Sequence, residues 1–272
     1  MGITRIDVEL LGQLKAERRI PDRAKVIELG AQQLSYSLLR SEEVLVKLGK
    51  LFGVGTELPI PLPNAPPDFD GIEEKLAPDA PMARKLWTWL GFEYASIDID
   101  GSPGSIPLDL NYDDVPHEEK NKYDLVTNFG TTEHVANQLN AFKIIHDLAA
   151  VRGIMMHHLP AQGNFNHGLV NYNPKFFWML ARSNEYHWLY FDFTKSSIHY
   201  ELPQNVLESV KSFRPNIAER MQDYKVVNAG LTVILQKTLD AVYVAPIDVA
   251  TGAKTSNEEL LKRYPTVFKP AN

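Results

Sequence analysis

The sequence predicts an α/β domain built on a mostly parallel β-sheet with helices on both faces. Short apolar segments typical of strands alternate with segments whose apolar residues recur at helical spacing, which is the pattern of such a domain. The 272 residues are 44% hydrophobic and 23% charged, which fits a globular protein with one sizeable core. We therefore predict one domain over residues 21–272, preceded by a helix within residues 1–20.

The first elements are a helix, a strand and a second helical segment. Apolar residues of the first helix recur at helical spacing, at Val8, Leu11 and Leu14. The helix is expected to end before Pro21. Lys25–Leu29 is predicted to be a strand, because it is short and apolar and Gly30 follows it with a tight turn. Residues 34–52 are predicted to be helical.

A proline-rich stretch then separates the first strand from the second. Seven prolines fall between residues 59 and 81, and proline is excluded from helix interiors and central strands. We predict an inserted lid at about residues 53–81. Pro81 is expected to begin a helix that ends at Gly91, with an apolar face formed by Met82, Leu86 and Trp89.

The remaining chain continues the alternation of strands and helices. Strands are predicted near residues 94–99, 106–110, 123–128, 153–159, 188–191 and 231–235. A helix is predicted between the strands at 123–128 and 153–159 from apolar residues at helical spacing, namely Val135, Leu139, Phe142 and Ile145. Asn173 and Pro174 are typical of the start of another helix.

Composition excludes several classes of function. The net charge is −6, with 28 basic and 34 acidic residues and no basic run, which argues against nucleic acid as a partner. The chain has no cysteine, so disulfides, thiolate metal sites and a cysteine nucleophile are excluded. The charged N-terminus and the lack of an apolar stretch of about 18 residues predict a cytoplasmic protein without a membrane span.

Polar residues and glycines cluster where the predicted strands end, which is where open parallel sheets bind ligands. With the apolar residues beside them, the residues at these ends are Glu28, Gly30, Ala31 and Gln32 after the first strand, Asp98 and Asp100 after the second, Asp109 and Leu110 after the third, and Asn128, Phe129 and Gly130 after the fourth. An acid at such a position can accept hydrogen bonds from ribose hydroxyls or from an amino group. The pattern therefore indicates a nucleoside-type ligand.

Four segments in order resemble the motifs of class I S-adenosylmethionine-dependent methyltransferases. They are VIELGAQ at 26–32, SIDIDG at 96–101, IPLDLN at 106–111 and YDLVTNFGTTEHV at 123–135. The similarity covers roughly residues 22–190, with a last strand at 231–237. It implies a Rossmann-like sheet of seven strands, mostly parallel with the last one reversed, and S-adenosylmethionine as the cofactor.

The resemblance also implies a role for each strand-end residue. Glu28 and the turn of Gly30, Ala31 and Gln32 would flank the methionine part of the cofactor. Asp98 would accept hydrogen bonds from the ribose hydroxyls, and Asp109, beside Leu110, would accept one from the adenine amino group. Asn128 and Phe129 would line the sulfonium end. Gln32 stands where the family usually has a second glycine. Because the insertion lengthens the chain before the second strand, Asp100 remains an alternative to Asp98.

Histidines near the same edge are candidates for the acceptor side. His134 or His167 would remove a proton, because an imidazole titrates near neutral pH. Four further residues are predicted to contact the acceptor: Glu133, His157, His158 and Tyr172. His157 and His158 are adjacent on a strand and point to opposite faces, so at most one can enter the pocket. Glu133, His134 and a later histidine are an alternative set of metal ligands, but no close ligand spacing supports them and no metal is predicted.

The sequence thus predicts methyl transfer to a small-molecule acceptor. A small molecule is favoured by the acidic net charge and by the segment TNFG at 127–130. This segment stands where the branch of the resembling family that methylates amino groups of nucleic acids has Asn-Pro-Pro-Tyr. One alternative is an NAD(P)-dependent oxidoreductase, although a G-x-G-x-x-G turn is absent. Another is a non-catalytic methyltransferase-like binding subunit, for which Gln32 is the best support. The sequence leaves open the acceptor atom and whether the chain forms a homo-oligomer.

Overall fold

A six-stranded sheet forms the centre of the computed structural model, which describes residues 2–55, 60, 80–164, 167–195 and 229–271. The strands are β1 (Lys25–Leu29), β2 (Glu93–Ile97), β3 (Tyr123–Phe129), β4 (Ala149–Gln162), β5 (His187–Lys195) and β6 (Ala229–Gln236). Their spatial order is β2-β1-β3-β4-β6-β5. The chain runs outward from β1 to β2 and then returns to the other side of β1 with β3, so the order reverses between β1 and β3.

The strand directions confirm a mostly parallel sheet with a reversed strand near its end. β1 pairs in parallel with both β2 and β3, and β3 pairs in parallel with β4. β6 is antiparallel to both of its neighbours, β4 and β5. The carboxyl ends of β1, β2 and β3 therefore meet at one edge of the sheet.

The prediction of a seventh strand at residues 106–110 is wrong. This segment makes one isolated bridge, from Ile106 to Ile97, and then leaves the sheet. Pro107 has no amide hydrogen to continue a ladder. Asp109 folds the chain into a turn, since its Oδ1 accepts a hydrogen bond from the Asn111 amide at 2.8 Å.

Helices cover both faces of the sheet, as predicted. They are α1 (Arg5–Ala16), α2 (Tyr36–Leu39), α3 (Glu42–Phe52), α4 (Arg84–Trp89), α5 (Gln138–Leu148), α6 (Pro174–Asn184) and α7 (Glu258–Arg263). Each face of the sheet carries its own apolar core. Residues that follow one another along a strand belong to different cores, because successive side chains point to opposite faces. Val126 and Met155 pack beneath α5 and α6, whereas Leu125 and Met156 pack beneath α1, α3 and α4. Two short strands, β7 (Lys254–Thr255) and β8 (Lys269–Pro270), pair outside the main sheet.

Several predicted details differ from the structure. The helix predicted at 34–52 is divided into α2 and α3, and the Ser35 hydroxyl caps α2 by accepting from the Leu38 amide. Val135 precedes α5 and Leu139 is 56% exposed, so only Phe142 and Ile145 of the predicted apolar face are buried on this helix. The helix predicted to begin at Pro81 is α4, which begins at Arg84; Met82 precedes it and is exposed, and Trp87 is its buried tryptophan. The predicted lid at 53–81 falls mostly on residues outside the described part of the chain.

No helix in the described part of the chain has the length and apolar character needed to cross a membrane.

A buried lysine joins the end of β6 to the connection between α5 and β4. The Lys237 ammonium donates to Asn121 Oδ1 at 2.7 Å, to the His146 carbonyl at 2.8 Å and to the Ala149 carbonyl at 3.1 Å. The two carbonyls belong to the last turn of α5 and to the first residue of β4. The ammonium thus satisfies acceptors that a helix end leaves unpaired.

We predict that Lys237→Met lowers the free energy of unfolding by about 1–3 kcal/mol, because buried carbonyl oxygens lose their donor. Chemical denaturation measures this change. The matched control is Lys262→Met, whose side chain is 71% exposed on α7 and whose effect should stay within about 0.5 kcal/mol. Equal effects of the two substitutions would contradict this role for Lys237.

Candidate functional site

A cavity of about 410 Å³ lies at the carboxyl ends of β1, β2 and β3, where the strand order reverses. Seven predicted site residues line it: Gly30, Ala31, Gln32, Asp98, Asp109, Leu110 and His134. Gly130, predicted to lie at this edge of the sheet, also lines it. The lining residues that were not predicted are Gln33, Ile97, Ile99, Leu108, Asn111, Thr131 and Val135. This cavity therefore lies where a parallel sheet of this topology is expected to bind a ligand.

The turn after β1 is fastened to the end of β2 by two hydrogen bonds. The Gly30 amide donates to the Ile97 carbonyl at 2.8 Å, and the Ala31 amide donates to Asp98 Oδ2 at 2.8 Å. Gly30 has a φ of +73°, a left-handed conformation that favours glycine. The turn and the Asp98 carboxylate thus hold each other in position beside the cavity.

Gln32 occupies the space under this turn. Its side-chain amide donates to the Leu29 carbonyl at 3.1 Å and to Thr131 Oγ1 at 3.1 Å, and lies 3.3 Å from the Gly30 carbonyl. Thr131, which follows β3, also donates its hydroxyl hydrogen to the Leu29 carbonyl. The side chain of Gln32 therefore connects the ends of β1 and β3. Thr131 was missed, because a lone threonine after a glycine carries no sequence signal.

Glu28 supports the turn from within the core and is not among the residues that line the cavity. Its side chain is fully buried and accepts hydrogen bonds from Trp87 Nε1 at 2.7 Å and from the Tyr94 hydroxyl at 2.8 Å. The backbone amide of Gln32 is a third donor to the Glu28 carboxylate, at 3.2 Å. Burial raises the pKa of the Glu28 carboxyl to about 7, against the opposing effect of these hydrogen bonds.

The two acids predicted as alternatives after β2 have different surroundings. Asp98 lines the cavity, and its Oδ1 accepts from the Asp100 amide at 3.3 Å in addition to the bond that Oδ2 accepts from Ala31. Asp100 is exposed, lies outside the cavity lining and accepts two hydrogen bonds from Ser102. The geometry therefore favours Asp98 over Asp100.

Asn128 and Phe129, predicted to line the sulfonium end, are both buried and do not line the cavity. Asn128 donates to Thr132 Oγ1 at 2.8 Å and lies 3.3 Å from His157 Nδ1. Phe129 belongs to the core beneath α1, α3 and α4. Tyr172 is also buried, with its hydroxyl 2.6 Å from Gln138 Oε1 and 2.8 Å from Thr132 Oγ1.

Neither histidine of the pair on β4 reaches the cavity. His158 Nδ1 lies 3.1 Å from Asp7 Oδ1, which connects β4 to α1. His157 packs on the opposite face between the rings of Phe142 and Phe177, and burial lowers its pKa to about 3. The opposite orientations were predicted correctly, but both side chains are part of the packed interior.

Glu133, His134 and His167 form a cluster beside the cavity, although 33 residues separate the two histidines along the chain. Glu133 is fully buried, whereas the His134 and His167 side chains are 48% and 37% exposed. Glu133 Oε1 lies 3.9 Å from His134 Nε2 and 3.6 Å from His167 Nε2. Burial raises the pKa of the Glu133 carboxyl to about 7, and burial together with His167 lowers the pKa of His134.

Similarity to known proteins is found at the level of a domain family. The model of a methyltransferase domain matches residues 72–217. No curated protein matches the chain.

Three solved structures illustrate the likeness in fold. A 1,6-didemethyltoxoflavin-N1-methyltransferase of Burkholderia thailandensis, crystallised with 1,6-didemethyltoxoflavin and S-adenosylhomocysteine, is 10% identical, with 85% of this chain and 78% of that chain covered and a TM-score of 0.43. A SAM-dependent methyltransferase of Archaeoglobus fulgidus is 11% identical, with 85% and 94% covered and a TM-score of 0.42. A Haemonchus contortus phosphoethanolamine N-methyltransferase 2 in complex with S-adenosylmethionine is 10% identical, with 84% and 52% covered and a TM-score of 0.38.

We predict that Gly30→Ala destabilises the protein more than Gly91→Ala. Both glycines have a left-handed φ, at +73° and +85°, so both substitutions carry a similar backbone cost. A Cβ at Gly30 would lie 2.7 Å from Thr131 Oγ1, whereas a Cβ at Gly91 would meet nothing within 4 Å. The clash should lower the free energy of unfolding by about a further 1–3 kcal/mol, which chemical denaturation measures. Equal losses would show that the turn has room for a side chain.

We also predict that Glu28 makes stability fall as the pH rises from about 5 to about 8. Its folded-state pKa of about 7 lies above the ordinary value of 4.5, so the folded state binds the proton more tightly than the unfolded state. This preference is lost as the pH rises through the folded-state pKa. Glu28→Gln should flatten the dependence of unfolding free energy on pH, and the exposed Glu118→Gln should not. An unchanged slope in Glu28→Gln would show that Glu28 is already ionised in this range.

Proposed function

The chain belongs to the methyltransferase domain family, whose model matches more than half of it, and we propose that it transfers the methyl group of S-adenosylmethionine to a small-molecule acceptor. The membership confirms the resemblance seen in the sequence. The observation that carries the proposal is the cavity at the strand-order reversal with the Asp98 carboxylate in its wall. When bound, S-adenosylmethionine supplies an electrophilic methyl group on sulfur, and the residues of this chain have to bind it, orient it and exclude water.

The cavity has the size and polarity for the adenosyl part of the cofactor. Its volume of about 410 Å³ falls within the range of roughly 300–1,000 Å³ typical of ligand pockets. Each oxygen of Asp98 accepts one backbone hydrogen bond and has a second lone pair, which suits two ribose hydroxyls. Leu108, Leu110 and Val135 provide apolar contacts for the adenine ring, and Asp109 lies beside them as the acceptor for its amino group.

The methionine part of the cofactor is assigned to the turn of Gly30, Ala31 and Gln32. These residues line the cavity and are held by Asp98 and Thr131. Glu28 contributes indirectly, because its carboxylate accepts a hydrogen bond from the backbone amide of Gln32. It is thus a positioning residue. Asn128 acts in the same indirect way, because its Oδ1 accepts from the Thr132 amide at 3.2 Å and helps to fix the start of the segment after β3.

The acceptor side is assigned to the end of β3, where His134 lines the cavity. In its simplest form the proposal retains the role predicted from sequence: the His134 imidazole, or that of His167, removes a proton from an acceptor that arrives protonated. A small molecule is favoured by the net charge of −6. Hydride transfer is less well supported than methyl transfer because of the family match, and a purely binding role would show as cofactor binding without turnover.

We predict that Asp98→Ala weakens the binding of S-adenosylhomocysteine by roughly ten- to a hundred-fold, because a charged hydrogen-bonding partner worth about 1.5–3 kcal/mol is lost. Isothermal titration calorimetry measures the affinity. Asp100→Ala is the matched control and should bind as the wild type does, because Asp100 lies outside the cavity lining.

Asp98→Asn separates ligand contact from support of the turn, because its amide oxygen can still accept the hydrogen bond from Ala31. A loss of affinity in Asp98→Asn at unchanged thermal stability supports direct contact with the ligand. Wild-type affinity in both Asp98 variants would reject the assignment.

A further inference from the structure

We propose that Glu133, His134 and His167 bind a divalent transition-metal ion of the Zn²⁺ type beside the cavity. The inference that this ion holds an oxygen atom of the acceptor rests on the proposed function. The site was not predicted from the sequence, because His134 and His167 are too far apart along the chain for a recognisable ligand spacing.

The strongest observation is a buried carboxylate without a hydrogen-bond partner among the described residues. Glu133 has no exposed side-chain surface, and neither of its oxygens has a hydrogen-bond partner among the described residues. A buried carboxylate in this state is costly unless a cation or a donor satisfies it. The imidazole nitrogens of His134 and His167 both lie within 4 Å of Glu133 Oε1, and both are able to bind a metal.

The distances fit an atom held between the three side chains better than a direct hydrogen bond. The two imidazole nitrogens lie 3.9 and 3.6 Å from Glu133 Oε1, beyond the hydrogen-bond range of about 2.7–3.2 Å. One ligand atom from each side chain lies within 4.8 Å of the others. Ligands about 2.1 Å from a tetrahedral ion are roughly 3.4 Å apart, so small side-chain rotations would complete the site.

The backbone holds the two sides of the cluster together before any ion binds. The Leu169 and Val170 amides donate to the Glu133 carbonyl at 2.7 and 3.1 Å, which fixes the segment after His167 against Glu133. Gly168 makes the close approach possible, since a Cβ there would lie 2.9 Å from Glu133 Cγ. The three ligands are thus brought together by main-chain contacts, which lowers the entropic cost of binding an ion.

Two imidazoles and one carboxylate form a donor set typical of catalytic zinc sites and of related divalent ions, with coordination positions left for another ligand. Both histidines are partly exposed and His134 also lines the cavity, so an open position would be accessible from the cavity. The acceptor class that fits is a hydroxyl-bearing small molecule, because the cation favours its ionised form.

Under this proposal His134 and His167 are ligands and not bases. The acceptor hydroxyl gives its proton to solvent, and its oxygen forms a bond to the methyl carbon. The bond between that carbon and the cofactor sulfur breaks, and its electron pair stays on sulfur.

The test titrates the untagged full chain, treated with a chelator and dialysed, with ZnCl₂ by isothermal titration calorimetry. We expect one Zn²⁺ per chain. Glu133→Gln and His167→Ala should each lower the affinity for Zn²⁺ by roughly ten- to a hundred-fold, as changes at metal sites typically do. The matched control is His117→Ala, which removes an exposed histidine outside the cluster and should leave binding unchanged.

His167→Ala keeps the test valid if the buried Glu133 substitution disturbs folding, which circular dichroism monitors, because the His167 side chain is partly exposed. The proposal is overturned if the wild type binds no Zn²⁺, or if His167→Ala binds it as tightly as the wild type does. Titration of the metal-free protein with S-adenosylhomocysteine is read separately. Cofactor binding without Zn²⁺ binding would reject only the ion site, and Zn²⁺ binding without cofactor binding would reject only the proposed function.

Discussion

The hydrogen bond between the Ala31 amide and the Asp98 carboxylate is the interaction on which the site depends. The regular pairing of β1 with β2 ends at Leu29 and Ile97, and this bond continues the contact past the last pair. It requires the chain to reverse at once after β1, which the left-handed φ of Gly30 allows. Asp98 is thereby fixed in the cavity wall before a ligand arrives, so little reorganisation is needed on binding.

Buried polar side chains hold the other strand ends in place. Gln32 and Thr131 connect β1 to β3, so the three strand ends that surround the cavity form one rigid unit. Below them, Glu28 accepts hydrogen bonds from α4 and β2 through Trp87 and Tyr94. Such networks are stable only when most of their groups are satisfied, whereas both carboxylate oxygens of the buried Glu133 have no hydrogen-bond partner among the described residues. This contrast is the basis on which we propose a site at Glu133 and its two histidines.

The sequence was sufficient to predict six strands of the sheet and about half of the residues that line the cavity, because both follow from local patterns. Buried strands such as β3 are short segments rich in apolar and aromatic residues, and Gly30 and Asp98 stand where strands end. The strand predicted at 106–110 failed because Pro107 and the turn at Asp109 override the apolar pattern.

The directions of side chains could not be predicted where they depend on distant partners. Glu28 turns into the core toward Trp87 and Tyr94, which are 59 and 66 residues away along the chain. Asn128 and Phe129 likewise follow their strand into the interior on opposite faces. The cluster of Glu133 with His134 and His167 exists only because the segment after β4 returns to β3, which no local spacing reveals.

The central claim is that the cavity at the carboxyl ends of β1, β2 and β3 binds the adenosyl cofactor. A crystal structure of the protein with S-adenosylhomocysteine tests it most directly. The account predicts both ribose hydroxyls within hydrogen-bond distance of the Asp98 carboxylate, the adenine beside Leu110 and Val135, and the sulfur on the side of His134. A ligand bound elsewhere on the molecule, or an adenosyl group in the cavity without contact to Asp98, would contradict the account.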